Sequence, residues 1–212
     1  MSHIRTIILA IGGGIWIAIG GAAYLSVENK IIGSFLFSLG LFMIVTNELN
    51  LFTGKIGYLF DNKPTYIIDL IEIWVGNFIG AAVTALALRM TRSGICADEI
   101  CEIKLDDSLL SIFMLAVFCG LLMYSAVNGY KTISDPIGKH IAVIVPVMVF
   151  ILCGFEHCVA NMFYFSLAGV WNIDSFAYLG VMTLGNAAGA LIMPLILRMK
   201  NYDIQNNKTK RV

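Results

Sequence analysis

Charge is scarce in this sequence. Asp, Glu, Lys and Arg make up 13% of the 212 residues, while hydrophobic residues make up 58%. A soluble domain carries about 25% charge. With a mean hydropathy of +0.83, there is too little polar surface to cover a water-soluble globule, so the bilayer is the solvent for much of the chain. Net charge is missing too. The 14 basic and 14 acidic residues cancel, which gives no reason to propose a nucleic acid as a partner. The cysteines (Cys96, Cys101, Cys119, Cys153 and Cys158) are odd in number and mostly sit in apolar runs. That argues against a disulfide framework, although Cys96 and Cys101 share a loop and could pair. A secretory signal is also lacking. The first apolar run, from Thr6, is longer than an h-region of about 7–15 residues and has no clear cleavage site, so it reads as a retained span.

What the chain does have is long apolar runs. A spanning helix needs about 20 such residues, and six segments qualify: Thr6–Val27, Ile31–Phe60, Ile67–Arg89, Ser108–Asn128, Ile141–Leu167 and Ser175–Arg198. Turn or charge clusters separate them. The expectation is one all-α integral membrane domain over residues 1–212, with a polar, frayed cytoplasmic tail at 200–212. Charge sets its orientation. With both termini cytoplasmic, the inside carries Arg5, Lys55, Lys63, Lys131, Lys139, Arg198, Lys200, Lys208, Lys210 and Arg211, and the outside only Lys30, Arg89, Arg92 and Lys104. That is the positive-inside pattern of a multi-pass protein in the plasma (cytoplasmic) membrane.

The second and fifth segments are longer than one span needs, and each has a polar interruption. One runs from Thr46 to Gly54 and contains Glu48; the other runs from Gly154 to Asn161 and contains Glu156. An ionised group at mid-bilayer costs several kcal/mol unless it is paired or faces water. Glu48 and Glu156 are 108 positions apart. Gly76-Asn77 recurs as Gly185-Asn186 at an offset of 109. Residues 5–90 therefore resemble residues 105–199. Three spans per repeat place the halves in opposite orientations, giving an inverted 3+3 repeat with broken helices 2 and 5 facing one site near the midplane.

Within those breaks His157 is the sharpest candidate, because an imidazole donates, accepts and titrates near neutrality. Its alternative is a neutral packing histidine. Glu156 reads as a proton carrier or, with Glu48, as support for the exposed N–H groups of a half-helix; the recurrence favours support. Asn161 falls in the same supporting group. The Thr53 hydroxyl could meet His157 across a pore, or simply cap a helix. Asn77 reads as packing and Asn186 as pore-lining. Phe37 and Phe150 each precede a break and could be hydrophobic constrictions. Gly12, Gly13, Gly14, Gly20 and Gly21 give the first helix a face for close packing. Cys153, His157 and Cys158 could be read as metal ligands, but they match no standard zinc spacing and lack a fourth ligand. No metal or cofactor is expected.

Gly154-Phe155-Glu156-His157-Cys158-Val159-Ala160-Asn161-Met162, Leu51-Phe52-Thr53-Gly54 and Leu184-Gly185-Asn186 resemble the formate/nitrite transporter family across nearly the whole chain. The resemblance implies an aquaporin-like six-helix protomer in a homopentamer, with one pore per protomer for a small monovalent anion. It makes His157 the central pore histidine, Thr53 its partner, Asn186 a nearby polar group, and Leu51 a slit-lining residue. It places Phe37 and Phe150 at the two constrictions, Leu41 near the first, and Lys104 as a vestibule lysine that attracts anions. Gly120, where members often carry an asparagine, and Asn50, where some carry an acid, depart from the pattern. So does the absence of a long N-terminal helix, which puts pH gating in doubt.

The expected function is a channel for a weak-acid anion in a lipid bilayer: formate first, then nitrite or hydrosulfide. It is not an enzyme. The alternative is a lactate/acetate-type monocarboxylate permease of the same fold. A membrane metalloprotein is a weaker rival. An aquaporin or glycerol channel is disfavoured because paired Asn-Pro-Ala loops are absent, and a scaffold because two polar breaks are costly without a pore.

Overall fold

The computed structural model describes residues 3–209, with side chains described up to residue 200. The described residues form helices and turns only. The helices are α1 (His3–Leu25), α2 (Lys30–Thr46), α3 (Phe52–Lys55), α4 (Tyr66–Arg89), α5 (Asp98–Leu105), α6 (Leu109–Thr132), α7 (Pro136–Leu152), α8 (Cys158–Ala168) and α9 (Ile173–Thr209), with a 3₁₀ stretch at Ile56–Asp61. Four are long and apolar enough to cross a membrane: α1, α4, α6 and the Ile173–Lys200 part of α9. α2, α7 and α8 are apolar but shorter. The helix continues to Thr209 rather than fraying at Lys200. Residues 210–212 lie outside the described residues, as do the side chains of Lys208, Lys210 and Arg211.

Local sequence explains the helix ends. Asn29 begins α2, accepting from the Ile31 and Ile32 N–H groups at 3.0 and 3.1 Å. Ser108 begins α6 by accepting from Ser111 N at 3.2 Å. Asp135 caps α7 through Gly138 N, with Pro136 at the first helical position where no N–H is needed. Gly169, at φ 72°, closes α8 in the left-handed region that glycine adopts without cost.

α1 packs along α4 and α2, α6 packs along α9 and α7, and α2 meets α7. α8 runs through the centre and is buried over all but its last residue, Ala168. The outer surface keeps large apolar side chains exposed, among them Ile8, Ile71, Val83, Leu110, Val145 and Leu184. A surface of that kind suits lipid rather than water.

Candidate functional site

The interruptions after α2 and α7 are built alike, atom for atom. Asn50 N donates to Leu9 O at 3.2 Å, and Glu156 N donates to Leu115 O at 3.3 Å. Leu49 N donates to Ile44 O, and Phe155 N to Phe150 O, both at 2.9 Å. Every one of these pairs is offset by 106 positions (156 − 50 = 106). In that register Glu48 corresponds to Gly154, not to Glu156, and both are left-handed, at φ 55° and 67°. The match of Glu48 with Glu156 expected from the sequence is therefore two residues out. Glu48 is exposed, while Glu156 is 3% exposed. Asn50 stands opposite Glu156, and Leu51 opposite His157.

Each interruption exposes backbone groups that a continuous helix would pair. An asparagine pairs one carbonyl and one N–H of each break and also reaches a carbonyl of the neighbouring helix. The Asn77 amide donates to Ala10 O at 2.7 Å and Asn50 O at 2.9 Å, and its oxygen accepts from Phe52 N at 2.9 Å. The Asn186 amide donates to Ala116 O at 2.8 Å and Glu156 O at 2.7 Å, and its oxygen accepts from Cys158 N at 2.8 Å. Asn186 was expected to face the pore. Instead it is fully buried with both donors and its acceptor committed, in the same role as Asn77. Gly14 and Gly120, themselves 106 apart, lie directly against the backbone oxygens of Asn77 and Asn186. A Cβ added at Gly120 would overlap that oxygen, so this backbone requires glycine there.

His157 is the N-cap of α8. Its Nδ1 accepts from Ala160 N at 3.1 Å. A backbone N–H can only donate, so the ring proton sits on Nε2 and is offered to Thr53 Oγ1 at 2.9 Å. Thr53 is the second residue of α3 and fully buried. The two breaks thus meet through one side-chain hydrogen bond. Because both ring nitrogens are engaged, a metal set of Cys153, His157 and Cys158 does not assemble. Cys153 is also exposed while the other two are buried.

Glu156 was expected to cap the half-helix, but the cap atoms come from His157 and Asn186. Its carboxylate instead holds Lys104 Nζ with both oxygens, at 2.7 and 2.6 Å. It also accepts from Asn161 Nδ2 at 2.7 Å, and Asn161 Nδ2 reaches His157 O at 3.0 Å. Lys104 was expected to be a vestibule lysine that attracts anions. It is 9% exposed and neutralised by this pair.

Two cavities of about 280 Å³ flank the breaks. The first is lined by Ile44, Glu48, Leu51, Lys55, Tyr130 and Lys131, among others. The second is lined by Lys30, Lys104, Phe150, His157, Asn161 and Tyr164, among others. They share no lining residue and open at opposite ends of α2. Phe37 and Phe150 were expected at two separate constrictions. Their rings meet edge to face, with centroids 5.5 Å apart at 88°, so the two side chains stand together rather than apart. Phe150 also stacks on His157 at 5.7 Å and 26°. Leu51 borders the first cavity, and Leu41, one turn after Phe37 on α2, is as buried as Phe37. Sequence reasoning missed Tyr164, which lines the second cavity, and the lysines of the first. Nothing in their local sequence marks them.

Cys96 and Cys101 are unpaired. The Cys96 thiol donates to the Asp98 carboxylate. Cys101 is buried on α5, and burial pushes its thiol up to about 12.

Comparison with known proteins gives the same picture from another direction. Residues 1–199 match the family described as Formate/nitrite transporter. A probable formate transporter of Methanothermobacter thermautotrophicus is 29% identical, over 93% of this chain and 89% of its own. The formate channel FocA of Haemophilus influenzae is 26% identical, over 77% of this chain and 71% of its own. A solved pentameric formate channel with formate bound superposes with a TM-score of 0.80 at 25% identity, covering 95% of this chain and 98% of that one. A solved FNT family ion channel shares the fold, with a TM-score of 0.77 at 18% identity over 90% and 86% of the two chains. With the family matched over nearly its whole length, the chain belongs to the formate/nitrite transporters, membrane proteins rather than enzymes.

Proposed function

We propose that the chain is a pore that passes a small weak acid, formate first and nitrite or hydrosulfide next, together with a proton. The observation that carries this reading is the Thr53–His157 hydrogen bond. It joins the two helix breaks between two cavities that open at opposite ends of α2. In this reading six segments span the bilayer: α1, α2 with α3, α4, α6, α7 with α8, and α9. The 106-residue recurrence relates two halves of opposite orientation. Both termini are cytoplasmic in a bacterial-type inner membrane, and five copies assemble, each with its own pore. The relatives named as formate channels support formate, and the pentameric neighbour supports the assembly.

Magnitudes favour a neutral crossing. A bare carboxylate in a medium of dielectric near 4 costs on the order of 20 kcal/mol. Protonating an acid of pKa about 4 at pH 7 costs roughly 4 kcal/mol. The apolar barrier of Phe37 and Phe150 on one side, and Leu41 and Leu51 on the other, is therefore passed as the undissociated acid. His157 donates from Nε2 to Thr53 and so orients the Thr53 hydroxyl, whose own proton is left to hold that molecule between them. Glu156 and Asn161, with Asn77 and Asn186 behind them, keep the breaks open. Flux of formate into proteoliposomes tests this. Raising external pH alone should slow uptake, and unchanged flux would remove the proton linkage. His157→Phe should abolish or strongly alter transport; wild-type flux in that variant would sink the role given to the histidine.

A further inference from the structure

The two helix breaks differ in one chemical respect. In the 106-residue register Asn50 stands opposite Glu156. The second break places there a carboxylate that neutralises Lys104; the first places an uncharged amide. Lys55 and Lys131 line the cavity beside that amide, and among the described residues no carboxylate comes within ion-pair reach of either. The two lysines are close enough to repel one another. Lys131 rests on the Tyr58 ring at 4.0 Å, a contact that does not neutralise it. Glu48 lines the same wall but is exposed, and it offsets the two charges only in part.

Asn50 adds a second, independent demand. It lines this cavity and is 3% exposed. Its Nδ2 donates to Thr6 O at 3.3 Å, which fixes the amide's orientation because a backbone carbonyl can only accept. Its Oδ1 has no partner among the described residues, yet it is not sealed from solvent. A largely buried acceptor left unpaired is destabilising. The cavity therefore suits an occupant that brings negative charge for the lysines and one O–H donor for the amide.

We propose that the first cavity binds hydrogen phosphate, a hydroxylated oxyanion of charge two, with its anionic oxygens toward Lys55 and Lys131 and its O–H donated to Asn50 Oδ1. Formate at neutral pH has no O–H, so it serves the lysines and leaves the amide. Sulfate carries the charge but likewise lacks the hydroxyl. Hydrogen phosphate does not follow formate through the pore. The cost of burying an ion rises with the square of its charge, and one added proton still leaves an anion, so the barrier at Leu41 and Leu51 stops it. Held there, it occupies the place where formate enters and restrains flux from that side. The inference rests on the transport reading above and adds a ligand that binds without crossing.

Inorganic phosphate is the probe and sulfate its control, at pH 8 with ionic strength held constant by chloride. Calorimetry on the purified protein in detergent should show saturable phosphate binding, with sulfate about fivefold weaker for want of one hydrogen bond. In oriented proteoliposomes, phosphate added on the Lys55 side should compete with formate entering there. Phosphate added on the Lys104 side should not inhibit, because it cannot cross. Lys55→Gln and Lys131→Gln should each weaken phosphate binding about tenfold to twenty-fivefold, roughly the square of a threefold to fivefold effect on formate, since doubling the charge doubles the interaction free energy. Equal binding of sulfate, inhibition from either side, or unchanged phosphate binding in both variants would overturn the inference alone. So would the lack of any calorimetric phosphate binding, whether or not the vesicles pass formate. Vesicles that pass no formate at any pH while the protein still binds phosphate would overturn the transport reading and leave the binding site standing.

Discussion

Glu48 and Gly154 hold the same left-handed backbone conformation, at φ 55° and 67°, in corresponding turns 106 residues apart. One turn has found the residue that adopts it freely, and the other has not. Gly154→Ala should therefore cost about 1–2 kcal/mol of stability, since nothing crowds the site sterically. Glu48→Gly should be neutral or gain up to about 1 kcal/mol, as strain relief is set against chain entropy. Thermal unfolding of the purified protein in detergent checks both, and a stabilised Gly154→Ala would refute the shared geometry.

Asn77 and Asn186 each tie one carbonyl and one N–H of a break to a carbonyl of the neighbouring helix, α1 or α6. Replacing either with leucine strands two buried backbone groups of the break at about 1–3 kcal/mol each. Both variants should therefore yield little folded protein, to a similar degree, as read by size-exclusion chromatography. A well-folded Asn186→Leu protein with altered anion selectivity would instead return that residue to the pore.

The contrast between these asparagines shows what was legible in the sequence. The apolar runs, the two interruptions and the 109-residue offset of Asn77 and Asn186 could be read from residue order, while the meeting of Thr53 with His157 stood beside simple helix capping until the family resemblance chose it. Lys104 and Glu156 could not be paired, because α5 is a short, mixed-polarity connector whose docking depends on the tertiary packing of α8. Glu48 and Glu156 looked equivalent because both are acids in apolar runs. Hydrogen-bond register sets correspondence, and it is offset differently at the breaks and at α4 and α9. Likewise Phe37 and Phe150 each precede a different break and read as separate constrictions, but their rings touch because α2 and α7 pack together.

The Lys104–Glu156 pair is buried on both sides, with side chains 10% and 4% exposed. Removing one partner leaves an uncompensated charge, at about 3–5 kcal/mol. Lys104→Met and Glu156→Gln should each lower thermal stability sharply. The double variant Lys104→Met/Glu156→Gln should recover part of the loss, giving a coupling energy of opposite sign to the single losses. If Lys104 were instead a free anion attractor, Lys104→Met would weaken formate uptake with little change in melting temperature.

Cysteine labelling reads the topology. Cys96 and Cys153 are exposed, whereas Cys101, Cys119 and Cys158 are buried. With the Cys101 thiol pushed up to about 12, its thiolate fraction at pH 8 is on the order of one in ten thousand. The sign is that of a raised pKa: the thiol stays protonated as pH rises through 9, where the unfolded chain would ionise, and ionises only near 12. A membrane-impermeant maleimide added to intact cells should label Cys96, in the loop before α5, and leave the buried Cys101, Cys119 and Cys158. Labelling from the cytoplasmic side alone would reverse the proposed orientation.

The first cavity differs from the second in charge. Lys55 and Lys131 both line it, and among the described residues neither has a carboxylate within ion-pair reach. Lys131 is instead positioned over the Tyr58 ring at 4.0 Å. Only exposed Glu48 offsets them, so an anion on that side meets a net positive wall. At the dielectric of water a unit charge at about 4–6 Å is worth roughly 0.7–1 kcal/mol. Lys55→Gln and Lys131→Gln should therefore each raise the half-saturating formate concentration about threefold to fivefold for flux entering from that cavity. Entry from the Lys104 side should be unchanged. Because Lys131 is exposed and Lys55 only half-buried, the effect should shrink as salt rises from about 0.01 M to 0.15 M. Flux assays on oriented proteoliposomes at the two ionic strengths measure this, and a salt-independent or side-independent change would refute the charge account.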